Sequence, residues 1–411
     1  MKLEIDRERL ITELDTLASF SDAPAPAVTR LVYSETDRQA REYVKSLCGL
    51  AGLAVRWDAV GNLFARWHGA EGEAAVGTGS HIDAIPNAGR YDGTVGVLGA
   101  LEAIRALQRA GFRPRRPIEL VVFAAEEPTR FGIGCFGSRL LAGTLDGSAG
   151  DALRDSENRT LNQWRAAAGF MGDVAGVRLP AGYYAAFVEL HIEQGPLLER
   201  VAIPLGIVTA IAAPASLRMW LEGDGGHAGG VLMPERRDAL CAAAEIVLAV
   251  EAAAKATGAA DTVGTVGVCD VFPSAINSIP SRVKIEIDIR DIDEARRNGV
   301  LECVENVAHD VAARRGISVK TEIINVDAPA QCDPAVVTVL ERAAAARGLP
   351  CRRMVSRAYH DSLFMARVAP TAMLFIPCRG GVSHRPDEYA APEAIAAGAL
   401  VLAEALAELA S

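Results

Sequence analysis

A chain of 411 residues that is 50% hydrophobic and 23% charged is long enough for two globular domains and can bury a full core. Its formal charge of −10, with no basic stripe to offset it, argues against a nucleic-acid partner. No apolar run approaches the ~18 residues of a membrane span, and Met1 to Arg7 lack the apolar core of a signal peptide, so a cytoplasmic protein with no membrane partner is expected.

Helical periodicity marks residues 7–17, 36–51 and 95–110, alternating with short apolar runs at 54–57, 63–67, 76–79 and 118–125. A further strand runs from Tyr184 to Leu190. This alternation predicts an α/β sheet flanked by helices. From Ile207 the order changes. A half-buried strand at 217–223 is followed by an alanine-rich helix at 236–256, strands at 263–271 and 283–289, a helix at 293–315 and a strand at 318–326. That β-α-β-β-α-β order is the split unit of a ferredoxin-like α+β domain. After Asp327 the alternation resumes with a helix at 334–347, a strand at 372–376 and a final helix from Pro392. The expected organisation is one domain of residues 1–207 plus 327–411, with 208–326 inserted. The eight cysteines show no C-x-x-C spacing, so reduced thiols are expected rather than disulfides or a zinc knuckle.

Chemistry-bearing residues cluster where strand-like runs end. The run at 76–79 leads into His81 and then Asp83 and Asp92, and the run at 118–125 leads into Glu126 and Glu127. The strand from Tyr184 leads into His191, and a glycine turn after Ile376 leads to His384. In open α/β sheets, ligands bind beyond the carboxyl ends of the strands. Two divalent ions sharing one site need about three protein ligands each and a carboxylate that bridges. His81, Asp92, Glu127, His191 and His384 supply that set if Asp92 bridges. Asp83, two residues from His81, suits an acceptor for the imidazole N–H. Of the adjacent glutamates only one can point at a given ion, leaving the other to take a proton.

Five strings, Gly79-Ser80-His81-Ile82-Asp83, Gly89-Arg90-Tyr91-Asp92-Gly93, Glu126-Glu127, His191-Ile192-Glu193-Gln194-Gly195 and Val382-Ser383-His384-Arg385-Pro386, resemble the hydantoinase/carbamoylase branch of the dinuclear metal aminoacylase and carboxypeptidase superfamily. The resemblance implies a zinc-peptidase-like catalytic domain with an inserted ferredoxin-like dimerisation or lid domain, and two divalent metal ions per subunit. It makes Glu127 a metal ligand and Glu126 the general base. The segments 209–216, 225–229, 231–234, 275–281 and 356–366 are most similar to the ureidoglycolate-hydrolysing members of the branch, which favours manganese, with zinc as the other choice, and a small ureido acid as substrate. N-carbamoyl-amino acids, N-carbamoyl-β-alanine and allantoate are the alternatives. Arg290 offers a planar two-point donor for the substrate carboxylate, although it could instead pair with Asp288. Asn277, Tyr359, His360 and Gln194 complete the expected substrate contacts. His227, flanked by glycines, resembles the residue that reaches into the neighbouring subunit's site and polarises the carbonyl oxygen, which implies a homodimer with shared active sites. A binding protein that had merely kept the fold would be expected to lose a ligand or the base, and none of the six positions is lost here.

Overall fold

The computed structural model describes residues 2–72 and 74–411, and the chain divides into two compact units. The first comprises the chain up to Thr209, Cys332–Met354 and His360–Ser411. Its centre is four parallel strands in the order Thr371–Ile376, Tyr184–Ile192, Ala75–His81 and Ile118–Phe123. Antiparallel strands extend both sides, Leu205–Ile211 beside Thr371–Ile376, and Leu63–Trp67 then Ala54–Trp57 beyond Ile118–Phe123. Every residue of Ala75–His81, Ile118–Phe123 and Thr371–Ile376 is buried. Strands covered on both faces tend to read as apolar runs, as Leu120–Phe123 and Ala372–Ile376 do, whereas Ala75–His81 carries Thr78, Ser80 and His81. The helices Thr94–Arg109 and Pro392–Leu409 pack on each other and on the parallel strands. At Gly79, φ is +143° and an added Cβ would lie 1.9 Å from the Val121 carbonyl oxygen. Only glycine lets this strand press against its neighbour two residues before His81.

Several elements of this unit escape the periodicity of the sequence. The strands Val28–Arg30 and Ala84–Ala88 pair antiparallel. The short helices Phe136–Ala142, Ala149–Ala152 and Leu161–Ala167 lie in the stretch after Pro128, the last opened by a capping box between Thr160 and Gln163. Phe136, Leu140, Leu141 and Leu161 join an aromatic-containing core cluster with Tyr33, Phe64, Phe123 and Phe187.

The second unit comprises Ala210–Gln331 and Val355–Tyr359. Its four-stranded antiparallel sheet has the order Val263–Phe272, Arg282–Asp291, Ala213–Glu222 and Ser318–Val326. Burial alternates along Arg282–Asp291, so Val283, Ile285, Ile287 and Ile289 face one way. They meet Ala242, Ile246 and Val250 of the helix Ala239–Ala256 and Val300, Val304 and Val311 of the helix Glu294–Arg315. This is the ferredoxin-like order expected from the sequence. The first of these helices begins at Ala239 rather than Arg236, because the Asp238 side chain accepts from the N–H groups of Leu240 and Cys241 and sets the cap there. The segment Val355–Tyr359, assigned by sequence to the other domain, belongs to this unit. The Ser356 carbonyl accepts from Ala212 N, and Arg357 pairs with Asp261 at 2.5 Å. No helix among the described residues is long and apolar enough to cross a membrane.

Candidate metal centre

All four parallel strands deliver a side chain to one place. His81 closes Ala75–His81, His191 lies near the end of Tyr184–Ile192, Glu126 and Glu127 follow Ile118–Phe123, and His384 follows Thr371–Ile376. Asp92 comes from the turn before the helix Thr94–Arg109 and stands between them. Its Oδ1 lies 3.2 Å from His191 Nε2 and 3.6 Å from His81 Nε2, whereas its Oδ2 lies 3.3 Å from His384 Nε2. His384 Nε2 is in turn 3.2 Å from Glu127 Oε1. Two groups of potential ligands, His81 with Asp92 and His191, and Asp92 with Glu127 and His384, therefore share one carboxylate. Glu126 belongs to neither group. Its Oε2 lies 3.7 Å from His81 Nε2, and its Oε1 is 3.5 Å from Cys135 Sγ.

The ring orientations are set by main-chain carbonyls. His81 Nδ1 lies 3.1 Å from the Asp83 carbonyl oxygen and His191 Nδ1 lies 2.9 Å from that of Ile192, which leaves each Nε2 facing Asp92. Asp83, expected as the acceptor for the His81 imidazole, meets Nδ1 through its main-chain carbonyl, and its side chain has a further role. Its carboxylate stands 3.7 Å from His81 Nδ1 and also accepts the N–H groups of Glu126 at 3.2 Å and Glu127 at 3.0 Å. A buried turn leaves two amide donors in need of an acceptor, and Asp83 satisfies both. Ala125, at φ +53°, makes that turn directly after the strand.

Burial and charge are both extreme at this site. Burial alone raises Asp92, but hydrogen bonds from His191, His384 and His81 outweigh it and hold the carboxyl well below its usual range. Hydrogen bonds to Asp92 and Glu127 pull His384 up to about 11. Burial tends to lower His81, yet the Glu126 charge and the Asp83 and Asp92 carboxylates raise it well above the ordinary imidazole value. Glu126 is pushed well up by burial, against the pull of His81 and with the charge of Glu127 adding to the rise. Three imidazoles and three carboxylates thus hold one another through shared protons. Nearby, Gln194 Oε1 is buried with no hydrogen-bond partner among the described residues. Mixed nitrogen and oxygen donors converging on one place, buried except at His384, with a buried acceptor left over, fit divalent cations.

The remaining expected residues fall into three settings. Gln194 donates through Nε2 to Asp92 Oδ2 at 2.6 Å, so it contacts the shared carboxylate. His360 is buried, its ring edge-on to His191 with centroids 4.6 Å apart. Its neighbour Tyr359 is part of the second unit and bonds through its hydroxyl to Asp327. In the second unit His227 is exposed on the short strand Gly226–His227, paired with Ser278–Ile279. Its Nδ1 accepts from Gly229 N at 3.1 Å, so a neutral ring carries its proton on Nε2, as a donor. The Asn277 carbonyl accepts from Ala228 N at 2.9 Å, tying it to the same turn. Arg290 pairs with Asp288 at 2.7 Å and donates to the Arg357 carbonyl at 3.3 Å, the alternative that its sequence neighbours allowed.

Two buried glutamates were not foreseen. Glu189 accepts from Ser80 Oγ at 2.6 Å, Ser362 Oγ at 2.6 Å and Ser362 N at 3.1 Å, joining the strands that carry His81 and His191. Glu388 contacts the loops of Asp92 and His384. The signal for Glu189 was a lone acid inside an apolar strand run, a position where a carboxylate is almost never buried unless it is paired.

Residues 77–408 match the peptidase family M20/M25/M40, and the chain belongs to that family. Within it, solved relatives of the hydantoinase/carbamoylase type share the fold over essentially the whole chain. The chain is 53% identical to the ureidoglycolate hydrolase of Oryza sativa subsp. japonica, over 98% of this chain and 85% of that protein. It is 39% identical to the N-carbamoyl-L-amino acid amidohydrolase of Geobacillus stearothermophilus, over 99% of each. The crystal structure of AtUAH in complex with glyoxylate aligns with a TM-score of 0.91 at 52% identity, covering 99% of this chain and 98% of that one. The branch expected from the five sequence strings is thus the one found.

Proposed function

We propose that this protein is a metal-dependent amidohydrolase that cleaves the terminal ureido C–N bond of ureidoglycolate, releasing ammonia and carbon dioxide and leaving hydroxyglycine, which decomposes to glyoxylate and a second ammonia. The observation that carries the chemistry is Asp92, one carboxylate shared between two groups of ligands. The substrate class rests on the gap between 53% identity to a ureidoglycolate hydrolase and 39% to a carbamoyl-amino-acid enzyme.

In this reading His81, Asp92 and His191 hold one divalent ion and Asp92, Glu127 and His384 the other, with manganese favoured. Such ions, when bound, lower the pKa of water and polarise a carbonyl oxygen. Glu126, outside both groups and with a raised affinity for protons, takes the proton of the attacking water and returns it to the departing nitrogen. His227, with its proton on Nε2, is the donor assigned to the developing oxyanion of a neighbouring subunit's substrate in a homodimer. Arg290, released from Asp288, and Asn277 are assigned to the substrate carboxylate and hydroxyl. The unit made of the chain up to Thr209, Cys332–Met354 and His360–Ser411 is then the catalytic domain, and the unit of Ala210–Gln331 and Val355–Tyr359 the dimerisation domain. A cytoplasmic location accords with eight free cysteines.

The test is a comparison of kcat/KM for ammonia release from ureidoglycolate, N-carbamoyl-L-amino acids, N-carbamoyl-β-alanine and allantoate, using protein stripped of metal and then reloaded with manganese. Ureidoglycolate should lead by about 10² or more, since a site built around polar substrate groups rejects analogues that leave those groups unpaired. A lead for any N-carbamoyl-amino acid assigns the chain to that activity instead.

A further inference from the structure

Glu388 lies outside both ligand groups, yet its contacts run to the loops that carry them. Its side chain is buried, and its Oε1 accepts the main-chain N–H of Tyr91 at 2.7 Å and of Asp92 at 3.1 Å. Its Oε2 lies 2.8 Å from Ser383 Oγ, and that same hydroxyl lies 2.6 Å from Asp92 Oδ2. Ser383 directly precedes His384, which turns at φ +57°. One carboxylate thus grips the backbone of the shared ligand and, through one serine, both the shared carboxylate itself and the loop of a second ligand. The turn is shaped around it. A Cβ on Gly89 would sit 2.3 Å from Glu388 Cβ and Cδ.

The two ligand groups depend on this strap unequally. His81 and His191 are oriented by the carbonyls of Asp83 and Ile192, which Glu388 does not touch, and they face Asp92 Oδ1. His384 faces Oδ2, the oxygen that Ser383 also contacts, and rides on the same turn as Ser383. Partners that orient a metal ligand by hydrogen bonding change metal affinity by about 10- to 100-fold when removed.

We propose that Glu388, acting through Ser383, is a positioning residue that aims Asp92 Oδ2 and His384 at a common ion, so that occupancy of the Asp92, Glu127 and His384 position depends on it while the His81, Asp92 and His191 position does not. The proposal rests on the reading of Asp92 as a ligand shared by two ions.

The experiment titrates metal-free protein with Mn²⁺ by calorimetry, and reads the bound manganese by electron paramagnetic resonance, which distinguishes an isolated ion from a coupled pair. The wild-type chain should bind two ions and give the coupled signal. Glu388→Ala should keep one ion at wild-type affinity, weaken the other about 10- to 100-fold and give the isolated-ion signal. Glu388→Gln should restore most of the loss, since its amide oxygen can accept from Tyr91 and Asp92 while its N–H₂ donates to Ser383. Ser383→Ala should weaken the same single ion. Two ions bound by Glu388→Ala with unchanged affinity, or both weakened equally, overturns the proposal. A wild-type chain that binds fewer than two ions overturns it too, by removing the shared-ligand reading beneath it.

Discussion

Asp92 concentrates the chemistry of the centre in one side chain, with two oxygens facing two different sets of imidazoles. Glu126 and Glu127 divide around it, one toward His384 and the other toward His81 and Cys135. Glu126→Gln should therefore bind metal normally and lose about 10² to 10⁴ in kcat, because the amide keeps the shape but cannot accept a proton. Paired metal analysis and kinetics check this. Loss of metal in Glu126→Gln but not in Glu127→Gln means that the two roles are exchanged. The protons shared in the metal-free site give a second expectation. Hydrogen bonds pull His384 up to about 11 and neighbouring carboxylates raise His81 well above its ordinary value, so both rings favour the proton, and a metal ion takes only the neutral ring. Metal uptake at pH 7 should release protons, and affinity should rise with pH, roughly tenfold per unit for each proton released. Calorimetry in buffers of different ionisation enthalpy counts those protons, and a count of zero contradicts the shared-proton picture. His81, Glu127 and His191 were readable in the sequence because each stands at or just beyond the end of a strand run, and Asp92 and His384 because the strings Gly89-Arg90-Tyr91-Asp92-Gly93 and Val382-Ser383-His384-Arg385-Pro386 carry the family resemblance. Glu388 was not, since it stands in the polar string Arg385-Pro386-Asp387-Glu388 where nothing local separates a buried acceptor from a solvated acid.

At the scale of elements, the parallel strands act as rails whose spacing decides where the ligands meet. Gly79 is the tightest point between two of them. Gly79→Ala combines a left-handed φ with a Cβ 1.9 Å from Val121 O, and should destabilise the protein by about 2 to 4 kcal/mol through strain and overpacking together. Denaturant unfolding of the metal-free protein reads the loss directly, and a change below about 0.5 kcal/mol, ordinary for a surface substitution, contradicts the packing described. Long elements were readable because burial imposes a period on them. The helix Glu294–Arg315 begins at Asp293, whose side chain accepts from Arg296 N, and ends at Gly316 with φ +63°, so both punctuation marks stand in the sequence. The helices Phe136–Ala142 and Leu161–Ala167 are too short for a period to emerge, and what folds them is the core cluster they join. The segment Val355–Tyr359 was misassigned for a related reason, since hydrogen bonds and ion pairs made far along the chain place it.

At the scale of the whole molecule, the inserted unit carries His227 and the larger unit carries every proposed metal ligand, which raises the question of whose site His227 serves. If it serves a partner subunit's, His227→Ala and Glu126→Gln should each be nearly inactive yet regain activity when co-refolded. Random pairing makes half the dimers mixed and leaves half of their sites intact, so recovery should approach about a quarter of wild type. Absence of recovery in demonstrated mixed dimers returns His227 to its own subunit's site or removes it from catalysis. The central claim, hydrolysis of ureidoglycolate at the ureido carbonyl, is tested most directly by the products of one reaction mixture. With manganese-loaded protein and ureidoglycolate, ammonium and glyoxylate should accumulate in a final ratio of two to one with no urea, as the atoms of the substrate require. Urea formed together with glyoxylate, or no glyoxylate at all, contradicts the claim.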